Sequence, residues 1–169
     1  MIRNRKPILA GIAIYQLLGS ALQFYLLYQF VGPGMHLGNY VALLPMLCIS
    51  FISLLAGACY FIYGERYRFY LLSTINFCLQ IVQLSVPGFK FAFYCLLYLG
   101  VAIDHNYSLQ VDFDFFSAFM SFSLNNPEFQ FFKLNLVPLV PLLLLRWLEK
   151  NPAGREAENA FLKEEEPVT

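Results

Sequence analysis

Apolar residues gather into four long stretches with polar breaks between them, at roughly 8–31, 40–63, 69–86 and 132–148. Each approaches the ~20 residues an α-helix needs to cross a ~30 Å hydrocarbon layer. The pattern predicts a mainly α-helical polytopic membrane protein with four transmembrane helices. Gly32-Pro33-Gly34 closes the first stretch with a turn signal. The second ends in Tyr60-Phe61-Ile62-Tyr63, an aromatic belt suited to the headgroup zone, before Gly64-Glu65-Arg66 turns the chain back.

Past the third stretch the beat changes. A single helix from Phe69 to Ile103 would reach roughly 52 Å, too long for one crossing, and Pro87-Gly88 divides it. Phe89–Leu99 is rich in aromatics, and Ser108–Phe115 alternates polar with apolar side chains. The alternation returns in Phe119–Leu124, and Phe129-Gln130-Phe131 is compatible with it. A period of two means strands with one wet and one buried face, and Asn125-Asn126-Pro127 reads as a turn. A small extracytoplasmic antiparallel β element is therefore expected between helices 3 and 4, within an outer β-rich insert over 89–131.

Charge gives the orientation. Of 169 residues, 59% are hydrophobic and 13% charged, too little charge to cover a water-soluble surface of this size. Nine of the eleven Lys and Arg lie in three places: Arg3, Arg5 and Lys6; Arg66 and Arg68; and Arg146, Lys150, Arg155 and Lys163. Cationic loops stay inside, which places both termini in the cytoplasm and suits a bacterial inner membrane. A fifth crossing over 89–103 would export the last group, so an even count is expected. The first stretch outruns the ~7–15-residue core of a signal peptide and reads as a retained helix. The organisation expected is one membrane domain, 1–149, with a cytoplasmic polar tail, 150–169. Net charge is zero, so the lipid bilayer is the expected partner and nucleic acid is not.

Candidate chemistry is sparse. Gln16, Ser20 and Gln23 share one face of span one, Asn76, Gln80 and Gln83 repeat that spacing in span three, and Ser50, Ser53 and Gly57 form a stripe on span two. Counted from the cytoplasmic ends, Gln16 lies level with Asn76 and Gly57, Ser20 with Gln80 and Ser53, and Gln23 with Gln83 and Ser50. Three matching stripes predict a polar seam that binds helices 1–3 together, and a solute path is its alternative. Phe113, Phe115, Phe116, Phe119 and Phe122 crowd the insert; Phe113, Phe115, Phe119 and Phe122 are the candidates for partner contact.

Cys48, Cys59, Cys78 and Cys95 are spread singly and read as packing residues. His36 and His105 fall outside the spans, Asp104-His105 with Asp112 and Asp114 is a weak acid–base cluster, and no catalytic or phosphate-binding motif occurs. No metal or cofactor is expected. The function expected is a non-catalytic accessory or assembly subunit of a membrane complex, contacting a membrane-protein partner or a second copy. A small transporter or channel using the seam and a membrane enzyme using Asp104 and His105 are the alternatives.

Overall fold

Pro7 sits in the first turn of the helix, where its missing N–H costs nothing, and no proline or charge follows it before α1, Lys6–Phe30, ends. α2 spans Leu37–Tyr63 with Pro45 inside it. In a computed structural model, residues 5–30, 37–65, 67–104, 106, 108–124 and 131–150 are described. The turn at 32–34, Arg66, His36, His105, the turn at 125–127 and the tail beyond Lys150 lie outside the described residues, as does the side chain of Asp104.

The third and fourth apolar stretches are not membrane crossings. α3 covers only Tyr67–Ile81 and passes without a loop into strand β1, Val82–Val86. Val82, Leu84 and Val86 alternate there with Gln83 and Ser85, a strand period ended by the Pro87-Gly88 turn, where Gly88 takes φ +83°. The last stretch is divided as well. Phe131–Asn135 is strand β4, and α4 begins at Leu139 after the buried Pro138 and ends at Lys150. The residue before a proline is disfavoured in the α region, and the helix starts just beyond Val137-Pro138. At 1.5 Å per residue α3 and α4 are roughly 22 and 18 Å long, short of a bilayer. Two helices, Lys6–Gln29 and Leu43–Tyr63, are long and apolar enough to cross one. The chain is therefore not a four-helix polytopic membrane protein.

The β structure is neither small nor an excursion beyond the helix ends. β2, Phe89–Asp104, and β3, Leu109–Ser123, form a long antiparallel ribbon. With β1 and β4 they make a four-stranded antiparallel sheet in the order β1-β4-β2-β3, β1 also pairing with the start of β2. It lies beside the helices: a Cβ on Gly19, midway along α1, would stand 2.7 Å from the Cys95 Sγ of β2. Phe93 and Met120 pack on Ile49 of α2. A second cluster joins Leu9, Ile12 and Ala13 of α1, Phe69 and Phe77 of α3, and Leu145 and Leu148 of α4.

The ribbon is creased in the middle. Its register shifts between Leu96 and Leu97, and Leu96 (φ 66°) and Phe116 (φ 52°) both adopt the left-handed conformation. Side chains four apart on a straight strand stand ~13 Å from one another. Across the crease the rings of Tyr94 and Tyr98 instead stack at 4.5 Å. The sheet is thereby made concave on the side away from the helices.

Candidate functional site

Seven of the eight seam residues are buried among the helices. Gln16, Ser20, Gln23, Ser50, Ser53, Asn76 and Gln80 are all fully or almost fully buried. Ser73 donates to Gln16 Oε1 at 3.2 Å, Asn76 Nδ2 donates to Ser53 Oγ at 3.3 Å, and Ser53 Oγ donates to the Gln16 carbonyl at 3.3 Å. α2 therefore sits one turn away from the depth the sequence gives, with Ser53 level with Gln16 and Asn76. Gly57 is correspondingly pressed on the next turn of α1, where its Cβ would lie 2.8 Å from the Ala13 carbonyl. Ser20 and Ser50 bond back to carbonyls of their own helices, Leu17 and Met46, and so do not link helices.

The seam also docks the sheet, which the sequence does not reveal. Cys95 Sγ donates to Gln80 Oε1 at 3.5 Å, and the Tyr15 hydroxyl donates to the Cys95 carbonyl at 2.7 Å. These groups bond one another across three helices and a strand. They fasten the layers.

Gln83 leaves the seam. It belongs to β1, so its side chain faces the concave side of the sheet, opposite the helices. It lines a cavity of about 440 Å³ there, with Tyr94, Tyr98, Asp112, Asp114 and Lys133 forming the polar part of the wall and Phe119 and Phe131 among the apolar part. Strand alternation brings these residues to one face: Tyr98 opposes Asp114, Gly100 opposes Asp112, and Gln83 opposes Lys133. A Cβ at Gly100 would overlap the Tyr98 hydroxyl oxygen, so glycine makes room for the Tyr98 side chain. We call this concavity the cup.

Its charges are partly matched. Lys133 Nζ lies 2.7 Å from Asp112 Oδ2 and 5.2 Å from the centre of the Phe131 ring. The Tyr94 hydroxyl donates to Asp114 Oδ2 at 2.5 Å. Burial first, then the bond to Asp114, pushes the Tyr94 phenol up to about 12. Burial first, then the Asp112 and Asp114 carboxylates, pushes Tyr98 to about 12. Both are O–H groups near neutral pH. The Tyr98 hydroxyl and Gln83 Nε2 are buried without a hydrogen-bond partner among the described residues, each on a residue 2% exposed.

The candidate partner-binding phenylalanines separate into two groups. Phe122, on the inner half of β3, is half-buried and meets Phe89 edge-on at 5.9 Å, and Phe119 stacks on Tyr94 at 6.0 Å. On the outer half, Phe113 and Phe115 are 66% and 73% exposed, and Phe116, Leu109 and Val111 are exposed beside them. That half overhangs the helices. Among the described residues no strand pairs with the free edge of β3, and no group of three or more His, Cys, Asp or Glu is placed to hold a metal ion.

No protein-family model, curated protein or solved structure matches this chain.

Proposed function

We propose that the chain is a non-catalytic accessory subunit of a membrane complex, anchored by α1 and α2 and joined to its partner along the outer half of β3. The observation that carries this reading is the overhang, Leu109–Phe116, which exposes large apolar side chains beside a sheet edge that no other strand joins among the described residues. Each half of that surface excludes one solvent. Unpaired backbone groups cost several kcal/mol apiece in hydrocarbon, so the edge cannot face lipid. Five neighbouring apolar side chains make a patch that monomers seldom leave in water. A strand of another protein satisfies both demands, the ladder giving affinity and the phenylalanines register.

That strand belongs to a different protein. Symmetric antiparallel pairing of two copies centred on Asp112, Phe113 or Asp114 would set aspartates against each other, and like charges directly opposite are destabilising. The basic residues before α1 and after α2 face the cytoplasm in this arrangement.

A photo-cross-linking residue at Phe115, in the full chain in its native membrane, tests the reading. We expect one stoichiometric adduct with a different protein, lost in Asp114→Pro, which breaks the strand, and absent when the cross-linker replaces Leu143 on the exposed face of α4. An adduct with a second copy, or none, would overturn it.

A further inference from the structure

The cup stands apart from the edge of β3 and supports an inference of its own. Its wall holds two carboxylates and one ammonium. The ammonium, Lys133, is engaged with Asp112, and Asp114 bonds a neutral phenol. Among the described residues no cation is paired with Asp114. The hydroxyl of Tyr98 is buried in the same wall, unpartnered and under the influence of both carboxylates. That end of the cup is suited to a cation bearing N–H groups, for which carboxylate and phenol oxygens are both acceptors.

The other end has the opposite character. Gln83 Nε2 is an unpartnered buried donor that requires an oxygen acceptor. Lys133 opposes it on β4, and both Lys133 and Lys90 lie within 5.8 Å of the Phe131 ring that closes this side. Acids thus lie on β3 and cations toward β1 and β4. Asp114 lies three strand spacings across (~14 Å) and four residues along (~13 Å) from Gln83, roughly 19 Å between backbones. An α-amino acid carries its two charged groups on a single carbon and cannot reach both ends. A phosphate ester of an amino alcohol places them several bonds apart.

We propose that the cup binds a zwitterion of the phosphoethanolamine type, its ammonium held by Asp114 and Tyr98 and its phosphate oxygens by Gln83 on the lysine-bearing side. The same chemistry occurs in an ethanolamine phospholipid headgroup and in the free ester. Either fits a cavity of this volume.

Two measurements on the full-length protein separate these sources. One is calorimetric titration of detergent-purified protein with O-phosphoethanolamine. The other is native mass spectrometry of lipid retained from nanodiscs of phosphatidylethanolamine, against nanodiscs of phosphatidylglycerol. Binding of the soluble ester alone identifies the free compound, selective lipid retention alone identifies the headgroup, and both together support the shared chemistry. In whichever mode the wild type binds, Asp114→Asn should weaken it roughly tenfold or more, and Tyr98→Phe should weaken it by a smaller factor. Leu143→Ala, remote from the cup, should leave it unchanged. Tyr98→Phe removes a single atom and keeps the test open if Asp114→Asn fails to fold. A wild type that binds neither probe, or an Asp114→Asn or Tyr98→Phe protein that binds as tightly as wild type, would overturn the proposal.

Discussion

The helical seam and the cup are both built from buried polar side chains, yet one is packed between helices and the other lines a cavity. In the seam, hydroxyls and amides from α1, α2 and α3 bond one another across 3.2–3.3 Å, and removing one deprives a neighbour inside the same protein, although Gln16 Nε2, both amide atoms of Gln23, Asn76 Oδ1 and Gln80 Nε2 have no partner among the described residues. In the cup, the Tyr98 hydroxyl and the Gln83 amide nitrogen line a cavity and have no partner among the described residues. An unsatisfied buried polar group destabilises the fold that carries it. The comparison teaches that a buried polar group without a partner does not by itself mark a ligand site, since the seam holds several. In the cup such groups also line the wall of a cavity.

The contrast can be broken by measuring stability. The largest loss is expected for Gly57→Val, where the new side chain would meet the Ala13 carbonyl and Leu17. A backbone oxygen cannot move aside as a side-chain tip can, so about 3 kcal/mol should be lost in denaturant titration in detergent. Asn76→Leu comes next, at about 1 kcal/mol, because Ser53 loses its donor. Lys133→Met should change stability by less than about 1 kcal/mol, its ion pair with Asp112 being partly exposed. Tyr98→Phe should have the smallest effect, near zero or slightly stabilising, since the hydroxyl it removes has no partner. A loss for Tyr98→Phe equal to that for Asn76→Leu would erase the distinction between the two regions.

Titration sharpens the same point. Tyr98 and Tyr94 should ionise near pH 12, above the ordinary value of 10, as read from tyrosinate absorbance. Because the folded-state values are raised, the stability these phenols contribute is fully present below pH 10. It is lost as pH rises from 10 to 12. In Asp112→Asn the Tyr98 titration should move back toward 10.

Much of this was legible in the chain, and the parts that were not share a cause. The uninterrupted runs of α1 and α2 declare themselves, and strict alternation over Ser108–Phe115 marks a strand locally. Residues 69–86 and 132–148 misled because apolar content does not distinguish a buried strand from a membrane helix. The discriminating signs were short: Gln83 and Ser85 two apart before Pro87, and Pro138 seven residues into the last stretch. Reading Gln80 and Gln83 as one helical face assigned to the seam a residue that belongs to the cup. The cup itself could not be read, since the pairing of Lys133 with Asp112 and the lodging of Tyr98 over Gly100 depend on strand register. The crease depends on left-handed Leu96 and Phe116, residue types that give no warning of positive φ.

That crease also limits what can join the sheet. A bent ribbon offers a visiting chain two short landings rather than one long rail, and only the distal landing is uncovered. It extends from Leu109 to Phe115, where the register steps, a length of roughly 23 Å. A visitor must therefore be brief, or must itself bend at the same point, which narrows the search for it to sequences with a short extended segment flanked by a turn.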